Sequence, residues 1–550
     1  MSSEEAGSQA NIEFASFGPD FAFDYSNWLQ ENRGGALGSV PDGKRVAIVG
    51  GGMAGMVAAY ELARMGVEPI VYEPAEIGGR LRSIQMGEDE PHLVAELGGM
   101  RFPKSGAAFY HYVDLLELKS APFPNPGSEA AGRTVVDLKG EQCILPEGGN
   151  GPFAHVAQAW NDALAHEGIH DIQKAMRDRD EARLAELWHE LVRYWDDRSF
   201  WNFLAESDHF ADFETKETFG QVGFGTGGWD SDFPNTMLEI FRVAFSRLDE
   251  EEQHFIVGGA QQVPKGLWNS VKERTGNAKR CGVQRVERRG ERFIVTDTNE
   301  EQDDFDAVLL TPQTWLLRRK VGVDEDLFTP DLWTALERTD YMSSSKTFAV
   351  VDRAFWNDED YVNNTKLPFS MTMTDRRTRA TYLIDGKAIP GGTSDGRALV
   401  ILSYAWEGDA EKVFTMSAKE RCEEAVAILK EIYGSDLPLE KHMDGGVKPV
   451  TVSWSTDPNF LGAFKGALPG HYRYNRRMYG HFVQDEFCAS HRGIFLAGDG
   501  ISWTPAWVEG AVQTALNAVW GITKHLNGEC HGYGPGEAWE KYPPLDLEAY

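Results

Sequence analysis

Cysteine is scarce in this chain, positive charge is in deficit, and no long apolar run occurs. The five cysteines, Cys143, Cys281, Cys422, Cys488 and Cys530, lie far apart, with no CxxC pair and no histidine at metal-ligand spacing. That excludes a disulfide scaffold and a structural zinc site, so reduced thiols and no resident metal are expected. No stretch reaches the roughly 18 to 20 apolar residues that a spanning helix needs. The start, "MSSEEAGSQANIEF", is acidic and polar, unlike a secretory signal. A cytoplasmic protein away from membranes is the expectation. Lysine and arginine number 54 against 85 aspartates and glutamates, a formal net charge of -31. Such a field repels nucleic acid and anionic lipid, so neither is an expected partner, whereas a cationic small molecule is tolerated. HExxH and a serine-histidine-aspartate pattern are also missing, which removes the usual hydrolase signals. His111, His471 and His481 sit among aromatics and read as packed side chains.

What is present is core material. At 550 residues and 42% hydrophobic, the chain exceeds what one core accommodates, so two or more domains are expected. "KRVAIVGGGMAGMVAAYELARMGVEPIVYE", Lys44 to Glu73, reads as strand, glycine turn, amphipathic helix and strand, a βαβ unit. Residues 152 to 205 switch to a helical period. "GVQRVERRGERFIVTD" alternates like a hairpin, and "DAVLLT" reads as a buried strand. Residues 347 to 405 carry short strand-like runs. "GIFLAGDG", from Gly493, is a strand and turn, followed by a helix rich in small residues from Val508 to Leu526.

Three motifs carry chemistry. Gly50, Gly52 and Gly55 form GxGxxG between strand and helix, and Glu73 ends the next strand, where an acid takes the hydroxyls of a ribose. Glycine lets the backbone approach a diphosphate, and the helix N-terminus supplies unpaired N–H donors. "GGRLRS", residues 78 to 83, adds a second glycine turn with Arg80 and Arg82, suited to the far side of a diphosphate or to a flavin ring. Asp499 ends a strand before an aromatic turn and a helix, a position from which a carboxylate accepts hydrogen bonds from a ribityl chain. A cofactor touching both ends of the chain favours FAD over a nicotinamide.

In these segments, and in "AELGGMRFP", "FGTGGWDSDFPN", "MSSSKTF" and "GAFKGALPGHYRYN", the chain resembles the flavin amine oxidase superfamily. Within it the likeness is to the bacterial amino-acid 2-monooxygenases and their oxidase relatives, the lysine-acting members nearest, the tryptophan- and phenylalanine-acting ones further off. The resemblance runs in order from about residue 44 to 525. It implies an α/β chain, α+β overall, in which a Rossmann-like FAD-binding domain interleaves with a substrate domain of mixed sheet plus helices. By that resemblance residues 40–110, 250–340 and 465–530 bind FAD. Residues 111–249 and 341–464 form the substrate domain, with the helical insertion 152–205, while 1–39 is an N-terminal extension and 531–550 a tail. The implied cofactor contacts are Gly50, Gly52, Ala54, Gly55, Glu73, Gly79, Arg80, Gly98, Gly99, Met100, Arg101, Val283, Asp499, Trp507 and Val508. A homodimer is implied as well. One departure is Gly500, where relatives more often carry a second acid.

The resemblance makes Arg101 the partner of a substrate carboxylate, in place of a structural cation tied to Glu96 or to carbonyls. A guanidinium grips a carboxylate bidentately and stays charged. Lys346 corresponds to the lysine that holds a water at the flavin N5. Trp503, Trp507 and Trp406 are expected to wall the substrate. Asp232 either pairs with a distal cation of the substrate or, with Asp230, caps the helix that follows Pro234. The first role makes the substrate lysine, arginine or ornithine. The implied reaction is hydride transfer from Cα to the flavin, then O2-dependent decarboxylation to the amide with CO2 and water, with 2-oxo acid, ammonia and H2O2 as a side outcome. The alternatives are a tryptophan or phenylalanine 2-monooxygenase, a predominant L-amino acid oxidase, or a flavoprotein without catalysis. A polyamine oxidase would leave Arg101 without a purpose.

Overall fold

The computed structural model describes residues 17–87, 92–145, 153–222, 228–246, 252–276, 278–392, 396–542 and 545. The first 16 residues of the extension, the start of the helical stretch at 152, the glycines around 225 and the end of the tail lie outside them. Strands Ile494–Leu496, Ala307–Leu310, Arg45–Val49 and Glu68–Tyr72 form, in that order, one parallel four-stranded sheet. Three of its strands are nearly fully buried, which is why they read as continuous apolar runs and not as alternation. Their origin in the beginning, middle and end of the chain makes this an interleaved α/β unit.

Two helices cover the sheet where the cavity opens. Met53–Arg64 follows the glycine turn, and Val508–His525 packs beside it, both through faces of alanine, glycine and valine. A glycine is required where the first helix meets its own turn. A Cβ on Gly55 would lie 2.1 Å from the Gly50 carbonyl oxygen.

A seven-stranded mixed sheet forms the second body. Its order is Val450–Ser453, Ser344–Val351, Ala398–Trp406, Ala380–Asp385, Met371–Thr374, Thr134–Leu138 and Glu141–Leu145. The expected hairpin is present as Val283–Arg289 paired antiparallel with Arg292–Asp297. Helices run from Ala154–His166 through Glu181–Trp195, and continue past residue 205 as Phe213–Val222 and Met237–Phe245. The helical region is therefore longer than its period indicates, because Gly220 and the glycines after it interrupt the pattern. Residues 17–31 lay Phe21, Phe23, Tyr25 and Trp28 into the core. Asp20 forms a buried ion pair with Arg242, both side chains 2% exposed. No described helix is long and apolar enough to cross a membrane.

Candidate active site

A cavity of about 350 Å³ runs between the parallel sheet and the seven-stranded sheet. One end is lined by Gly50, Gly52, Ala54, Glu73, Gly79 and Val283, the other by Arg101, Lys346, Trp406, Trp507 and Asp232. Arg80, Gly98, Gly99, Met100, Asp499 and Val508 line it too. The structure thus brings to one cavity all but two of the cofactor and substrate contacts that the resemblance implies.

The glycine end is built for close backbone approach. Gly50 holds φ +104°, a left-handed conformation open to glycine. Gly52 caps Met53–Arg64 with no side-chain bond, so the first N–H groups of that helix face the cavity. A Cβ on Gly98 would fall 1.6 Å from the Arg80 carbonyl oxygen. The Glu73 carboxylate accepts from the Gly51 N–H at 2.7 Å and from Ala75 at 2.8 Å, which places it over the turn. Burial raises its pKa and those N–H donors oppose the rise. Arg80 and Asp499 pair across the cavity, Nη1 to Oδ2 at 3.0 Å. A glycine cradle, a free helix N-terminus and an acid at the end of the second strand suit a diphosphate and a ribose, so the residues fit FAD.

Two residues lie elsewhere. Gly55 is not on the cavity wall; it is the contact of the helix with the Gly50 carbonyl, a packing role. Trp503 stacks on Tyr472 at 5.3 Å and lies 4.7 Å from the Arg242 guanidinium carbon, facing the core and not the substrate side. Its neighbour in the turn, Trp507, does line the cavity because Ala506 takes φ +69° and turns the chain before the helix. Arg82 is also engaged outside, with Asp457 at 3.1 Å and over the ring of Trp454. Gly500 has a local reason: a Cβ there would meet the Tyr341 hydroxyl at 2.8 Å.

Arg101 follows the turn at Gly98 and Gly99 and precedes the strand Phe102–Pro103. Its Nη1 donates to Asn125 Oδ1 at 2.9 Å and to the Tyr382 hydroxyl at 3.2 Å. Asn125 Nδ2 in turn donates to Gln253 Oε1 at 3.1 Å. The Glu96 carboxylate accepts instead from Ser83 Oγ at 2.7 Å and Ala260 N–H at 2.6 Å. The acid nearest in sequence is therefore occupied away from Arg101.

Lys346 lies on Ser344–Val351, a strand buried along its whole length. Its Nζ donates to the carbonyls of Glu96, at 3.1 Å, and Gly98. Burial, opposed by Glu96 and aided by Arg101, brings its pKa down to about 7. Lys346 accordingly titrates near neutral pH, unlike a surface lysine.

Asp232 closes the short helical turn Asp230–Asp232 and is 8% exposed. It does not cap the helix after Pro234, because Thr236 is the N-cap and its Oγ1 accepts from Leu238. Asp230 is engaged by Arg379. The Asp232 carboxylate accepts from Asn235 Nδ2 at 3.1 Å. Burial raises its pKa to about 7, with Glu239, Glu407 and Asp230 adding to the rise and Asn235 opposing it.

Several wall residues escaped the sequence reading. Trp229, Glu239, Tyr404, Phe464 and Lys465 line the same space. Tyr404 was within reach of the strand period, since it shares a face with Trp406 two residues on. Lys465 and Glu239, 3.9 Å apart and both buried, carried no local signal. Asn125 and Tyr382 are 24 and 281 positions from the arginine they hold.

Residues 53–523 match the family model described as flavin containing amine oxidoreductase. The chain is 30% identical to a tryptophan 2-monooxygenase of Pseudomonas savastanoi, covering 93% of this chain and 95% of that protein. It is 24% identical to an L-amino-acid oxidase of Crotalus adamanteus over 90% of each. The curated relatives at 30% identity are named for tryptophan and not for lysine. Among solved structures, a putrescine oxidase superposes with a TM-score of 0.65 at 19% identity, over 88% of this chain and 99% of that one. A cyclohexylamine oxidase from Brevibacterium oxydans gives 0.65 at 16% identity. These two are alike in fold. With the family model spanning most of its length, and the glycine cradle and Glu73 at one end of the cavity, the chain belongs to the flavin-containing amine oxidoreductases.

Proposed function

We propose that the protein oxidises an L-α-amino acid at Cα, using FAD and O2. The observation that carries this reading is Arg101, a guanidinium set in the cofactor cavity and oriented by Asn125 and Tyr382. A simple amine has no use for that group, whereas an α-carboxylate is gripped by it with a fixed orientation. Bound FAD would supply a two-electron acceptor for the Cα hydride and a route for those electrons to O2. Lys346, titrating near neutral pH beside Arg101, would hold a proton or a water at the reacting end. Trp406 and Trp507 would flank the substrate and exclude solvent.

The side chain accepted is open between two classes. The relatives named tryptophan 2-monooxygenase support an aromatic amino acid better than a basic one. Trp229, Tyr404, Trp406 and Phe464 supply walls for such a ring. A basic side chain is the second reading, favoured by Asp232 and Glu239, two buried acids on the same wall. The product follows from how well the cavity retains the imino acid: retention leads to the amide with CO2, escape to the 2-oxo acid with ammonia and H2O2.

The test is anaerobic mixing with L-tryptophan, L-phenylalanine, L-lysine and L-arginine. Bleaching of the flavin by one class assigns the side chain, and mass spectrometry of the aerobic product separates amide from oxo acid. A flavin that stays yellow with all four, and with other L-amino acids, overturns the reading.

A further inference from the structure

Arg379 occupies the turn between strands Met371–Thr374 and Ala380–Asp385 with φ +55°, a left-handed conformation that a residue with a Cβ keeps only where its surroundings impose it. Its side chain is 13% exposed and reaches three elements. Nη2 donates to Asp230 Oδ2 at 3.0 Å, in the turn that carries Asp232. Nε pairs with Asp409, in the helix Glu407–Glu411 that directly follows Trp406. Nη1 donates to Gln221 Oε1 at 2.7 Å, and Gln221 also donates to Asp230 Oδ2 at 3.1 Å. Its backbone forms a bridge with Tyr404.

Asp232 and Trp229 stand on one wall of the cavity's distal end, Tyr404 and Trp406 on another. These walls come from chain segments about 170 positions apart, and the Arg379 guanidinium ties them together outside the cavity. Its donors diverge in one plane, so a single side chain engages two carboxylates in fixed directions, which an ammonium does not do. Its charge, with that of Lys412 on Asp409, also offsets the repulsion between Asp230 and Asp409 across the gap.

We infer that Arg379 is a positioning residue that sets the spacing of Asp232 and Trp406 and so determines which amino-acid side chain the cavity accepts. This rests on the proposed amino-acid oxidation and adds to it a residue that touches no substrate. The bonds that orient Arg101 go to Asn125 and Tyr382, whereas the Arg379 guanidinium engages Asp230, Asp409 and Gln221.

The experiment uses Arg379→Met and Arg379→Lys in the FAD-loaded full chain. Two quantities are measured: kcat/KM for the amino acid that reduces the wild type best, and the Kd of propionate, read from the flavin spectrum. Propionate offers Arg101 a carboxylate and no distal group. Arg379→Met should lower kcat/KM by between about tenfold and a hundredfold, chiefly through KM, the cost of a misplaced wall. The propionate Kd should stay within about twofold, and Arg379→Lys should recover part of the loss. Parallel weakening of propionate and amino acid overturns the inference, as does no change in either. If Arg379→Met does not retain flavin, Asp409→Asn cuts the same tie from the other wall and is measured in the same way. Loss of flavin in both overturns it, because the arginine would then hold the fold and not the spacing. A wild type reduced by no amino acid would sink the parent reading, a result separable from a wild type that is reduced and a variant that discriminates unchanged.

Discussion

Replacing Arg101 with methionine keeps an unbranched apolar stem and removes the charged head, and its cost follows from what surrounds it. Hydrogen bonds to a charged group contribute about 1.5 to 3 kcal/mol, and leaving one member of a buried pair alone costs about 3 to 5 kcal/mol. Arg101 is only partly buried, so about 3 kcal/mol is the appropriate figure. At 1.36 kcal/mol per factor of ten this is a loss of about 10²-fold in kcat/KM. Most of it should fall on binding, since the carboxylate is gripped before and during the reaction alike. Rapid mixing without oxygen separates the substrate Kd from the limiting rate of flavin reduction. A second signature comes from Lys346, whose proton affinity Arg101 depresses. Without the guanidinium, the limb of the pH profile that belongs to Lys346 should move to higher pH. A decarboxylated analogue of the preferred amino acid should bind Arg101→Met no worse than wild type. An unchanged substrate Kd, or equal losses for amino acid and amine, would refute the carboxylate role.

Further outcomes follow from other parts of the structure. Asp232 is neutral below about pH 7 and charged above it, so an ion pair with a basic side chain forms as pH rises through that point. Asp232→Asn should then remove this rise in kcat/KM and cost about 10- to 100-fold with a basic substrate. With an aromatic substrate it should cost little, and equal losses for both classes would detach Asp232 from selectivity. Asp20→Ala leaves Arg242 charged in the core and also removes the acceptor of Trp188 Nε1. It should destabilise the protein by about 3 to 5 kcal/mol in chemical denaturation, and a loss under about 1 kcal/mol would contradict the burial of that pair. Gly98→Ala sets a Cβ against the Arg80 carbonyl, a backbone atom that does not yield as a flexible side chain would. Purified Gly98→Ala should carry little flavin, and full occupancy would remove Gly98 from the cradle.

What was legible in the sequence was local. The glycine turn, its helix and Glu73 fall within one βαβ unit, where spacing along the chain is spacing in space. Buried parallel strands announced themselves as apolar runs for the same reason. Trp503 shows the limit: two tryptophans four positions apart in one turn have the same chance of facing a ligand, until the left-handed Ala506 sends one outward and stacking on Tyr472 keeps the other in the core. Asp232 shows it again. An acid before a proline and a helix is a good candidate cap, and the choice of Thr236 depends on where the preceding turn ends.

The partners that give the site its character are all distant in sequence, and their effect is collective. Lys346 is pushed toward neutrality by burial and by Arg101, two groups that come from opposite sides of the chain's midpoint. Burial and other acids raise the pKa of Asp232 into the same region. The cavity therefore gathers Arg101, Lys346 and Asp232 at one end, and two of the three change charge near neutral pH. In a low-dielectric space this matters, because three permanently charged groups would attract water and bind one another in place of a ligand. A carboxylate arriving at Arg101 offsets the charge that depresses Lys346, so occupation of the first group raises the proton affinity of the second. Recognition at one end of the cavity and proton handling beside the cofactor are thereby coupled through a single guanidinium.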